Sequence, residues 1–191
     1  MDVAFDYVVK NGLTTEDQYP NTADNGSCTP KTAAVKTDGY VAVPENNEKQ
    51  LQHAVALQPV LVGVDGTSIM LYKEGIYDNT TTSVVNHALL IVGYGTENGV
   101  DYWVAKNSWG STSWGEQGYI RLKRNVDKPE GTIMLATEPL YPTMNSRHNP
   151  DPSPVSPSVP PPAPVKPSPI SSEVPPPGLS GSSKKPWTFS P

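Results

Sequence analysis

The sequence predicts an α+β protein: a mostly antiparallel β domain with two short helices, followed by a disordered proline-rich tail. Three observations carry this. Residues 143–191 hold 15 of the 22 prolines, and too few large apolar residues to offset the entropy of folding. Residues 1–142 contain two stretches with helical spacing. The same residues contain a series of short apolar runs separated by Gly-, Asn- and Glu-rich turns, which is the spacing of strands.

Taken in order, residues 3–11 place Val3, Phe5, Val8 and Val9 around a short amphipathic helix, with Gly12 as its stop. Residues 13–44 are rich in Thr, Asn, Asp, Gly and Pro, and read as a long surface loop with one strand near residues 39–43. A second helix follows. Asn46 or Asn47 caps it, Leu51, Ala54, Val55 and Leu57 form its apolar face, and Pro59 ends it. The period then changes. Residues 60–64 (VLVGV) are nearly continuous in apolar character, as in a strand covered on both faces. Residues 87–95, 101–107 and 118–124 are three further strands, and there is no internal repeat.

The tail, with its spaced prolines, Ser and Val, favours polyproline II and reads as a semi-rigid linker. A ligand for an SH3-like or WW-like domain is the sharper alternative. The domain organisation is therefore a folded unit over 1–142 and a linker or tail over 143–191.

Composition excludes several function classes. No apolar run approaches the ~20 residues that cross a bilayer, so no membrane role is expected. The first residues show no basic segment followed by a long apolar one, so no signal peptide is visible. The net charge is −5, with ten basic and seventeen acidic side chains in residues 1–142. No basic patch appears, so nucleic acid is not an expected partner. One cysteine, Cys28, and three widely spaced histidines, His53, His87 and His148, give no metal signature, and no cofactor is expected.

Two segments carry candidate chemistry. Asn86-His87-Ala88 runs directly into an apolar strand, and Lys106-Asn107-Ser108-Trp109-Gly110 is followed by Trp114-Gly115-Glu116. A histidine at a strand mouth can act as a general base because its ordinary pKa lies near neutrality. It needs a partner to fix its tautomer, and an asparagine carbonyl accepts the imidazole N–H. A tryptophan beside that bond would exclude water and strengthen it. His87, Asn107 and Trp109 have these residue types. A histidine satisfied at a strand end, beside a turn with a packed aromatic, accounts for the same residues, so the pattern leaves both readings open.

Residues 1–142 resemble the C-terminal part of the papain-like cysteine peptidases, especially the plant type. The resemblance rests on MDVAFDYVVKNG, EKQLQHAVALQPVLVGV, NHALLIVGYGTENGVDYWVAKNSWG, SWGEQGYIRLKR and EPLYP. It implies the β-rich C-terminal lobe of that fold, an antiparallel sheet or barrel with short helices. It also implies a cysteine-type endopeptidase in which His87 pairs with a thiolate and Asn107 orients it. Trp109 is implied as the shield over that contact, and Trp114 as the aromatic wall on the leaving-group side. Gly63 and Ala88 fall where the family lines its main specificity pocket, and Asn86 where it carries Asp or Asn. Polypeptide substrates or cystatin-type inhibitors are the implied partners of a monomer, in the vacuole, the lysosome or outside the cell. The sequons Asn25-Gly26-Ser27 and Asn79-Thr80-Thr81 are compatible with a secretory route.

The sequence also departs from the family. Nothing in it resembles the glutamine and cysteine-tryptophan segment that supplies the oxyanion hole and the nucleophile, and the sequence begins after both. Cys28 lies in a turn with no following helix to lower its pKa, and by resemblance matches a half-cystine rather than a nucleophile. A cysteine shortly before the histidine is missing from residues 79–85, and Ile133 stands near the place of its partner. One residue more than usual separates Trp109 from Trp114. The expectation is an incomplete peptidase, inactive as given. The alternative is a non-catalytic module that binds peptides or inhibitors.

Overall fold

The structure, a computed structural model, describes residues 1–22, 26–29, 31–81 and 84–144. The disordered tail expected from residue 143 lies, from residue 145 on, outside the described residues, as do Asn25 and His148. Helix α1 spans Asp2–Asn11 and stops at Gly12, whose φ of 78° suits a glycine terminator. Its apolar residues have little to cover them. None is buried, Val3 is 75% exposed, and Phe5 stacks on Tyr40 at 5.4 Å. Helix α2 spans Glu48–Leu57. Asn47 is the residue that caps it, with Oδ1 accepting from the Gln50 N–H at 3.1 Å. Leu51, Ala54 and Val55 are buried as the spacing requires. Leu57 is not: it is 82% exposed. It lies about a third of a turn away from the stripe centred on Leu51, and so faces solvent.

The strands are β1 (Gly39–Ala42), β2 (Val60–Val64), β3 (Ile76–Tyr77), β4 (His87–Glu97), β5 (Val100–Lys106), β6 (Tyr119–Lys123) and β7 (Leu140–Thr143). They form one sheet in the order β1-β7-β2-β4-β5-β6-β3, antiparallel except for the short β3–β6 pair. The β4–β5 hairpin turns at Asn98 and Gly99, both at positive φ, the pairing that matches the twist of tight hairpins. Strand β7 is hidden in the sequence by Pro139 and Pro142. It is tolerated between β1 and β2 because only Leu61 and Leu140 pair on the β2 side. The freed Pro142 carbonyl accepts from Gln58 Nε2 at 2.9 Å, which ties the end of α2 to this strand.

The core lies between α2, the 3-10 turn at Thr132–Met134 and the sheet face carrying Val60, Val62, Ile91, Trp103 and Ile120, all fully buried. Each such aliphatic side chain stabilises the fold by roughly 1.5–3 kcal/mol. Trp103 also donates its indole N–H to Glu48 Oε1 at 2.8 Å, joining β5 to the first turn of α2.

The far edge of the sheet is held by charge. Arg121 on β6 reaches Glu116 through Nε (2.9 and 3.1 Å) and Nη2 (2.7 Å), and Glu97 through Nη1 (2.7 Å). Glu116 also accepts from the Gly75 N–H at 2.9 Å. Burial pushes the Glu116 carboxyl up, but the Arg121 and Gly75 bonds outweigh it and leave its pKa below the ordinary value. A carboxyl whose pKa is depressed by folding stabilises the protein above its unfolded pKa of about 4.3, and that contribution is lost as pH falls through the folded value. Glu116→Gln is therefore expected to flatten the loss of stability on acidification below about pH 4. Arg121→Ala is expected to cost roughly 1–3 kcal/mol at neutral pH. Denaturant unfolding as a function of pH measures both, and an unchanged acid limb in Glu116→Gln would remove this assignment.

Candidate active site

Strands β2 and β4 set the first half of the site. Their register pairs Val64 with His87 and Gly63 with Ala88, so His87 stands at the very start of β4. The loop before it is tied down by Asn86. Its Oδ1 accepts from the Gly66 N–H at 2.8 Å and its Nδ2 donates to Thr67 Oγ1 at 2.9 Å. Gly66 is needed here for space. A Cβ on it would stand 2.6 Å from His87 Cβ, closer than two carbons can approach.

Strand β5 delivers the second half. It ends at Lys106, and Asn107 follows it, held by its N–H to the Gly118 carbonyl at 2.9 Å and only 8% exposed. Asn107 Oδ1 lies 2.8 Å from His87 Nε2. The same oxygen accepts from the Ser108 N–H at 2.7 Å. A backbone N–H can only donate, so the Ser108 contact fixes this end of the amide as the acceptor. His87 Nε2 must then carry the proton in that contact. The neutral ring is the Nε2–H tautomer, and Nδ1 keeps the free lone pair. Asn107 Nδ2 is buried with no hydrogen-bond partner among the described residues. Such a donor costs on the order of 1–3 kcal/mol, borne at the site rather than in the core.

Aromatic rings cover this bond. Trp109 stacks on His87 with centroids 4.7 Å apart and a 29° angle. Trp114 meets Trp109 edge to face at 5.2 Å. Trp114 is 7% exposed, donates its indole N–H to the Ile69 carbonyl at 3.0 Å and packs on Tyr72 at 5.6 Å. It supports Trp109 from behind. Tyr72 in turn donates to the Gly75 carbonyl at 2.7 Å, and burial pushes its phenol up to about 12. The turn carrying Trp114 depends on Gly115. It sits at a φ of 59°, and any Cβ there would collide with the Tyr119 carbonyl.

The structure thus brings together His87, Asn107 and Trp109, with Trp114 and Asn86 in support. Gly63 and Ala88 form the adjoining cross-strand pair, one register step away. Around the place of a Gly63 Cβ stand Val85 Cγ1 at 2.8 Å, Glu138 Oε2 at 3.7 Å and Met1 Cε at 3.8 Å. Sequence reasoning gave no role to Gly66, Ser108, Val85, Met1 and Glu138. Of these, Ser108 stands inside a singled-out segment and Val85 next to one. Met1 and Glu138 had no such signal, because they arrive from opposite ends of the fold.

Cys28 is exposed and unpaired, and residues 26–29 are not helical. Among the described residues no cluster of His, Cys, Asp and Glu could hold a metal ion, and no helix is long and apolar enough to cross a membrane.

Comparison with known proteins gives a consistent family. A model described as papain family cysteine protease matches residues 1–143. The probable cysteine protease RD21B of Arabidopsis thaliana is 44% identical over 169 residues, covering 84% of this chain and 36% of that protein. The oryzain beta chain of Oryza sativa subsp. japonica is 43% identical over 160 residues, covering 81% of this chain and 34% of its own length. The chain therefore spans about a third of the length of these curated relatives. Among solved structures, the bromelain protease from Ananas comosus in complex with the E64 inhibitor superposes with a TM-score of 0.71 at 38% identity, covering 75% of this chain and 68% of that one.

Proposed function

This chain belongs to the papain family of cysteine proteases, and from that premise we propose that His87 and Asn107 are the base and the orienting residue of a peptide-cleaving Cys–His pair. The observation that carries the reading is the His87 Nε2 to Asn107 Oδ1 contact of 2.8 Å, with Oδ1 claimed by the Ser108 N–H. It leaves Nδ1 as the basic atom. In the reaction, Nδ1 takes the thiol proton, the thiolate attacks the peptide carbonyl carbon, and the imidazolium returns the proton to the departing amine. Nδ1 then deprotonates the water that releases the acyl group. Asn107 holds the ring in position through both steps, and Trp109 keeps water from competing for its oxygen.

The nucleophile is not among the residues of this chain. Its sole cysteine, Cys28, is exposed, and residues 26–29 around it are not helical. We read residues 1–191 as supplying the base half of the machinery, without peptidase activity by themselves. The 15N resonances of the His87 ring test the reading. In the neutral ring they are expected to show a protonated Nε2 and an unprotonated Nδ1, and the reverse tautomer would sink it.

A non-catalytic role, binding peptides or cystatin-type inhibitors, would use the same surface around His87 and Trp109. Retained inhibitor capture in His87→Ala would separate binding from catalysis. Passage through the secretory route, towards the vacuole, lysosome or exterior, is supported by the half-exposed sequon at Asn79.

A further inference from the structure

Just past the edge strand β3 the chain holds a sequon at the surface. Asn79 opens Asn79-Thr80-Thr81 and is half-exposed, while Thr81 is exposed. The Asn79 carbonyl accepts from the Ile133 N–H at 3.0 Å, and the Thr80 carbonyl accepts from Lys128 Nζ. These two bonds fasten the segment to the body of the fold. The side chain is held as well. Asn79 Oδ1 accepts from the Thr81 N–H at 2.9 Å and from the Thr81 hydroxyl at 2.7 Å. A backbone N–H can only donate, so the amide oxygen is the end turned towards Thr81, and Nδ2 points away from it. Nδ2 bonds to no described residue and is not one of the buried unpaired side-chain atoms, so solvent reaches it. The surroundings are polar: Asp78 pairs with Lys123 at 2.6 Å on the same rim.

We infer that Asn79 is an acceptor for N-linked glycosylation, with a lipid-linked oligosaccharide diphosphate as the donor class. In that transfer Nδ2 bonds to the anomeric carbon of the first sugar. The bond from that carbon to the diphosphate oxygen breaks, the lipid diphosphate departs, and Nδ2 gives up one proton. Strand β3 ends the sheet and has no neighbour on its outer side. A bulky, hydrated glycan beside it covers an edge that could otherwise pair with another chain. The inference rests on the secretory reading of this chain for its use in the cell.

The test secretes the full chain from a eukaryotic cell behind a cleavable leader, so the acceptor is read independently of the natural route. Peptide N-glycosidase followed by trypsin is expected to convert Asn79 to aspartate in the peptide spanning residues 74–106, as fragmentation locates it. Thr81→Ser keeps the hydroxyl and should keep the modification, and Thr81→Ala should lose it. Asn25→Gln should leave it in place. Thr81 is exposed and its side chain bonds only to Asn79 among the described residues, so these variants keep the fold. A secreted chain with Asn79 unmodified, or with a glycan at Asn25 alone, would overturn the assignment and leave the secretory reading standing. Modification of the leader-bearing chain, with Asn79 bare in protein isolated from its own cells, would uphold the acceptor and remove the secretory reading.

Discussion

Asn107→Ala is expected to release the His87 ring from its single tautomer. The change removes the acceptor 2.8 Å from Nε2 and leaves the Ser108 N–H without its side-chain partner. A hydrogen bond of this kind contributes about 0.5–1.5 kcal/mol net. The preference for Nε2–H over Nδ1–H should therefore fall by roughly three- to ten-fold. Ring 15N shifts read that ratio directly, and His53, exposed on α2, serves as an internal control that should not move. The ring should also lose part of its stacking on Trp109, because the bond and the stack constrain the same orientation. Unchanged His87 shifts in the variant would mean that Asn107 does not orient the base.

Trp103→Ala is expected to give the largest loss of stability. Trp103 is fully buried at the centre of the sheet, between Tyr94 at 5.9 Å edge to face and the Arg124 guanidinium at 5.4 Å. Removing it leaves a cavity, takes away one of the two donors to the Glu48 carboxylate, and uncovers Arg124, itself only 8% exposed. Aromatic-to-alanine changes at such sites cost about 3–5 kcal/mol, a large part of the roughly 5–15 kcal/mol that holds a domain together. The midpoint of thermal unfolding should drop by roughly 10–20 °C. Trp103→Phe keeps most of the volume but loses the bond to Glu48, and should cost about 1–2 kcal/mol. A fall of only a few degrees in the alanine variant would place the centre of the core elsewhere. The site shares the consequence, because β5 carries Trp103 and delivers Asn107 just past its end.

Much of this was legible in the sequence where local chemistry decides. Asn47 caps α2 because a short polar acceptor precedes a run with helical spacing, and Gly12 ends α1 because only glycine sits easily at its φ. The long strands β4, β5 and β6 show as apolar stretches broken by turn residues. Strand β3, with two residues, has no period to read, and β7 carries a proline that argues against a strand. Leu57 belongs to α2 but lies off the stripe centred on Leu51, so an apolar residue inside the helix still faces solvent. At the site, the histidine and asparagine segments could be picked out by residue type and motif. The contacts that give them direction could not. Ser108 sets the amide and Gly66 makes room for the ring, each through an approach of the chain that no local pattern encodes.

We propose His87 and Asn107 as a base and its orienting residue, with Cys28 not the nucleophile they serve. The rate of hydrolysis of a fluorogenic peptide by residues 1–191 alone, with and without a thiol-directed inhibitor, tests this most directly. The account predicts no inhibitor-sensitive hydrolysis, in the unaltered chain and in Cys28→Ala alike. Hydrolysis that the inhibitor blocks and that Cys28→Ala abolishes would contradict it, and would make Cys28 the partner of His87.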